Sequence, residues 1–201
     1  MKIFPIVTLT ILLLIIIFSC QNDYVPKPRG YYRIDFPAKE YRSLDTNFPY
    51  TFMYPVYAKI LPDPSKLAEP YWINILYLPF HAQLHISYKP VKNNLKIFLE
   101  DAHTLVNKHI PKANSINQRE FINESEKVYG LVYDIRGSEA ASVCQFYLTD
   151  SVSHFVRGAL YFNLAPNNDS LSPVIDFLKK DIEKMISTFR WKKIAKMTSA
   201  K

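Results

Sequence analysis

The sequence predicts an α+β fold, a single domain in which one antiparallel sheet packs with two helices. Three observations predict it. Several aromatic and β-branched segments alternate with the period of a strand, two stretches carry helical periodicity, and the turns between neighbouring strands are too short for parallel crossovers. The chain holds only four glycines, Gly30, Gly130, Gly137 and Gly158. No two are close enough to cradle a phosphate, which excludes P-loop and dinucleotide-binding readings.

The chain starts with a positive Met1-Lys2, an apolar run from Ile3 to Phe18, and then Ser19-Cys20. That order is the one of an export signal, and the run is short of the roughly 20 residues needed to cross a bilayer as a helix. Ile17-Phe18-Ser19-Cys20 resembles a lipobox, so residues 1–19 read as a lipoprotein signal peptide and Cys20 as the lipidated residue. A multiply acylated cysteine is an effectively permanent tether. The other cysteine, Cys144, alternates with Phe146 and Leu148 and reads as a small buried hydrophobe. With Cys20 lipidated, no intramolecular disulfide can form.

Residues 20–46 carry Pro26, Pro28 and Pro37 with few aliphatics, as expected of a lipid-anchored extended arm whose centre, 29–36, forms a short strand. The α+β domain then spans 47–191. Tyr50 to Ile60 and Tyr71 to Leu78 have strand composition, and Pro79-Phe80 turns the second into a strand where Leu84, Ile86 and Tyr88 alternate with Gln83, His85 and Ser87. Leu95, Phe98, Leu99, Ala102, Leu105 and Val106 mark a helix capped by Asn93 or Asn94 and ended by Pro111. From Val128 to Phe162 a three-stranded meander follows, turning near Gly137 and Asp150. Ser172-Pro173 starts the second helix, with Ile175, Leu178, Ile182, Met185, Ile186 and Phe189 as its apolar stripe. Residues 192–201 are a basic tail. The element order resembles the Mog1/PsbP-like arrangement, a likeness of fold that carries no function.

The 25 basic against 18 acidic residues are spread along the chain and suit anionic lipid or an acidic partner. Nucleic acid is excluded as a partner for an exported, tethered chain. His81 and His85 share a strand face but stand about 13 Å apart, too far for one metal ion. Asp150, Ser151 and His154 crowd a single turn, without the separate elements a catalytic triad needs. The carboxylate pairs Glu124/Glu126 and Asp176/Asp181 read as solvated. The sequence therefore predicts no catalytic residue, no metal and no cofactor.

A family likeness adds to this reading. Pro26-Lys27-Pro28-Arg29-Gly30-Tyr31-Tyr32-Arg33-Ile34-Asp35-Phe36-Pro37 resembles a signature of the gliding motility lipoprotein GldD family. Tyr71-Trp72-Ile73-Asn74-Ile75 is similar to a second block. A third runs from Gln145 to Ser151, through His154 to Phe162, and on to Pro166-Asn167. The resemblance implies a role in bacterial gliding and the associated type IX secretion machinery, and no catalytic residue.

The expected function is a non-enzymatic, membrane-anchored component that docks on envelope proteins of that apparatus, at the outer membrane facing the periplasm. Arg29, Tyr31, Arg33 and Asp35 form the candidate partner-binding patch, with aromatic and arginine anchors. The alternative is a small-ligand or glycan binding module using Gln83, His85, Ser87 and Arg157. A concave surface at those residues would favour it. An uncharacterised enzyme is a third reading.

Overall fold

The computed structural model describes residues 33–192. The chain divides into two units, 1–34 and 35–201, and the fold below is that of the second. Its centre is a seven-stranded antiparallel sheet of order β4-β5-β6-β10-β9-β8-β7. The strands are β4 (Lys59–Pro62), β5 (Ile73–Tyr77), β6 (Ala82–Pro90), β7 (Ser115–Asn123), β8 (Val128–Arg136), β9 (Ser142–Thr149) and β10 (His154–Phe162). Each sequential pair within β4–β6 and β7–β10 is a hairpin, and β10 closes on β6 to join the two sets. The α+β class read from the sequence is the one observed.

Helices α1 (Leu95–Asn107) and α2 (Asn168–Ser187) cover opposite faces of the sheet. Strand alternation sends successive side chains to opposite sides. Phe155 and Tyr133 meet Phe98 and His103 of α1, whereas Val132, Asp134 and Cys144 face Lys179, Ile182 and Ile186 of α2. The α2 side is the larger core, with Ile75, Leu84, Phe146, Leu148, Val156 and Leu160 all buried. Gly158 belongs to this layer because the Phe146 ring occupies the space above it: an added Cβ would lie 2.1 Å from a ring carbon.

Several local expectations change. The segment 50–60 is three pieces: β2 (Tyr50–Thr51), β3 (Met53–Pro55) and β4. Only β4 joins the main sheet, because Ala58 N–H donates to Pro55 O and turns the chain. β2 pairs with the closing strand β11 (Arg190–Trp191), and β3 pairs with β1 (Tyr41–Ser43). Residues 33–36 have no regular structure, and 35–46 fold with the unit that the sequence reading began at 47. The meander has a fourth strand, β7, whose exposed edge position removes the alternation that would have revealed it. Helix α2 starts before Ser172: Asn167 caps it by accepting from Ser170 N–H, and Pro173 lies inside the helix. Asn94 precedes α1, but its side chain accepts from Lys92 N–H and does not cap. Among the described residues no helix is long and apolar enough to cross a membrane.

Candidate functional site

Of the residues singled out in the sequence, Cys20, Arg29 and Tyr31 lie outside the described residues, as does the tail from 193. Arg33 and Asp35 are exposed. The other set, Gln83, His85, Ser87 and Arg157, comes together on the sheet face beneath α1. β6 and β10 pair Ser87 with Arg157 and Gln83 with Tyr161, so all four side chains point to that face.

Between this face and α1 runs a groove of about 440 Å³. His85, Ser87, Arg157 and Tyr161 line its floor, Phe98, Asp101 and Leu105 its helical wall, and Asp63, Trp72 and Lys89 its rim. Gln83 does not line it; its amide lies 3.4 Å from His85 Nδ1. Arg157 is oriented by a bond from Nη2 to Gln145 Oε1 at 2.5 Å, and Ser87 Oγ lies 3.5 Å from Arg157 O. Burial lowers the His85 pKa from its ordinary value, Asp63 opposes this, and Arg157 adds to it. His81 is not on the strand: it adopts the left-handed conformation after a 3-10 turn at Leu78–Phe80, so it does not share a face with His85.

The floor beneath α1 is unusually polar for a covered layer. The register places Asn74, His85, Ala159, Gln145 and Tyr133 in one row across five strands. Gln145 is 1 % exposed, and Asn74 and Tyr133 are also buried. Among the described residues neither Asn74 Oδ1 nor the Tyr133 hydroxyl has a hydrogen-bond partner. Each such atom costs about 1–3 kcal/mol against a paired one. Asn74, Gln145 and Tyr133 escaped the sequence reading because alternation separates the two faces of a strand without saying that both are covered. The signal available was the apolar stripe of α1, which needs a sheet face of its own.

A second polar cluster was misread. Asp181 is 0 % exposed, not solvated, whereas Asp176 is exposed. Its Oδ1 accepts from Lys39 Nζ at 2.7 Å and from the Tyr41 hydroxyl at 2.8 Å, and its Oδ2 accepts from the Tyr57 hydroxyl. Lys39 also donates to Phe177 O and sits 3.2 Å from the centre of the Phe177 ring. Phe36 stacks on the same ring at 4.4 Å. Burial, reinforced by the Asp181 bonds, pushes both tyrosine hydroxyls well above their ordinary range. The cluster holds residues 36–41 against α2. Its carboxylate is saturated by donors, so its chemistry is that of a fastening.

The remaining candidates have structural partners. Asp150 Oδ1 accepts from the backbone N–H groups of Val152, Ser153 and His154. Burial raises the Asp150 pKa, but those three donors outweigh it and hold the carboxyl below its ordinary value. His154 turns its ring to the Tyr88 hydroxyl at 2.8 Å and stacks on Trp191. Cys144 is 4 % exposed, and burial pushes its thiol up to about 12. Among the described residues no three His, Cys, Asp or Glu side chains converge to hold a metal ion.

Comparison with known proteins gives a family match and a likeness to a solved structure. The family model described as "Gliding motility lipoprotein GldD" matches residues 21–191. No curated protein matches. The solution structure of cyanobacterial PsbP (CyanoP) from Synechocystis sp. PCC 6803 is 12 % identical, covering 80 % of this chain and 98 % of its own, with a TM-score of 0.47. With the match running through the whole sheet and both helices, the chain belongs to the gliding motility lipoprotein GldD family.

Proposed function

We propose that this chain is a lipid-anchored, non-enzymatic docking component of the gliding apparatus and its associated type IX secretion machinery, held by an acylated Cys20 at the outer membrane and facing the periplasm. The observation that carries the reading is the family match, which begins at residue 21, next to Cys20. The polar clusters support a role without catalysis. Asp181 and Asp150 are each bound by three donors, which leaves neither placed to exchange protons with a substrate. Arg29, Tyr31, Arg33 and Asp35 are the residues proposed to meet the partner.

Two measurements test this. Cys20→Ala is expected to move the protein from the membrane to the soluble fraction; retention in the membrane would remove the lipid anchor from the proposal. Crosslinking of the tagged full-length protein in gliding cells is expected to recover envelope proteins, and combined alanine substitution of Arg29, Tyr31, Arg33 and Asp35 to abolish that recovery. No envelope partner from the native protein would overturn the docking role, and undiminished recovery from the variant would overturn the patch.

A second reading, a small-ligand or glycan binding module of the envelope, is favoured by one specific observation. His85, Ser87 and Arg157 line a real groove, not a flat surface.

A further inference from the structure

We propose that the groove between α1 and the β6–β10 face binds a neutral saccharide, with Arg157, His85 and Asp101 addressing its hydroxyl groups and the aromatic walls taking its apolar ring face. This rests on the second reading above, that the groove is a ligand site. A sugar ring presents a polar equator and apolar faces, and the groove has both linings. Phe98 and Phe155 meet at 5.5 Å on one side, and Tyr161 meets His85 at 5.5 Å on the other. Donors and acceptors of both kinds stand between them.

Charge separates this ligand class from its competitors. Asp63 and Asp101 line the groove together with Arg157, while the Lys89 ammonium is already paired with Glu69 outside the lining. A phosphate or other dianion would meet two carboxylates against one guanidinium. A simple carboxylate prefers both prongs of an arginine, and here one guanidinium nitrogen is committed to the buried Gln145. Uncharged hydroxyls can donate to the aspartates and accept from Arg157 without either conflict.

The test uses the full-length chain solubilised in detergent, applied to an array of neutral, acidic, sulfated and phosphorylated oligosaccharides. Binding to neutral members is expected. It should fall at least tenfold in Asp101→Ala, an exposed helix position, and in Ser87→Phe, which fills the groove, with the melting temperature of each variant unchanged. Binding to anionic members alone, no binding to any member, or neutral binding indifferent to both variants would overturn the proposal. A parallel thermal-shift screen with L-amino acids and simple carboxylic acids distinguishes the two levels. Stabilisation there that Ser87→Phe abolishes, without glycan binding, overturns the saccharide and keeps the groove as a ligand site; silence in both screens overturns both.

Discussion

The Lys39 ammonium lies 2.7 Å from the Asp181 carboxylate, joining the beginning of the folded unit to its last helix across 142 positions of sequence. Tyr41 and Tyr57 complete the site from two further segments. If the chain hangs from Cys20, a pull on the protein enters the domain beside this contact.

Removing the buried carboxylate while leaving its donors should be costly. Asp181→Ala is expected to destabilise the protein by about 3 kcal/mol, since Lys39 keeps partial access to water and so escapes the full penalty of a buried unpaired charge. Tyr57→Phe removes one hydrogen bond to the carboxylate and should cost about 1.5–3 kcal/mol. Urea unfolding of the three proteins checks this; an Asp181→Ala variant as stable as wild type would show that the Asp181 cluster contributes nothing.

Gly158→Ala tests the packing over β10. The new methyl would meet the Phe146 ring, itself buried in the α2-side core, and the ring has to move. A destabilisation of about 1–3 kcal/mol is expected from this overpacking. Phe146→Leu in the same background should recover part of the loss, a rescue that a purely backbone effect would not allow.

Cys144 should be inert in the native state. Its sulfur is covered by α2 and its thiol is pushed up to about 12 by burial, so little thiolate forms at neutral pH. With Cys20 replaced, a thiol reagent should label the protein only at the rate of unfolding, and fully in denaturant. Fast stoichiometric labelling under native conditions would contradict the burial.

Stability should fall at both ends of the pH scale. His85 and His154 are lowered from 6.5, chiefly by burial, so the unfolded chain binds more protons than the folded one below that value. Their contribution is present above pH 6.5 and lost as pH falls through the folded values. Tyr88 and Tyr133 are raised by burial from 10.0 to about 12, so the folded chain then holds more protons than the unfolded. That contribution is present below pH 10 and lost as pH rises toward 12. Urea midpoints across this range should form a plateau with two falling limbs, and His85→Gln with His154→Gln should flatten the acid limb alone.

The elements with strong periodicity were legible. β6, with Leu84, Ile86 and Tyr88 buried in alternation, and α1, with Ala102 and Val106 turned inward, follow from the order of apolar residues. β7 was not legible, because an edge strand with one weakly covered face has no alternation to show. The true start of α2 was hidden by Ser172-Pro173, a good local start signal that loses to the Asn167 cap six residues before Pro173. For the groove, the sequence placed Gln83, His85 and Ser87 on one strand face and joined Arg157 to them. It could not show that α1 would roof them, or that Gln145 would orient the arginine.

By itself the sequence determined the α+β class, the alternating strands and the family, because each is written in the local order of residue types. The tertiary structure alone decided that Asp181 is a buried anchor while Asp176 is in water, that β2 pairs with β11, and that a polar row lies under α1. Burial and long-range pairing depend on which distant element covers a residue. An aspartate on a helix looks the same in sequence whether water or Lys39, Tyr41 and Tyr57 will surround it.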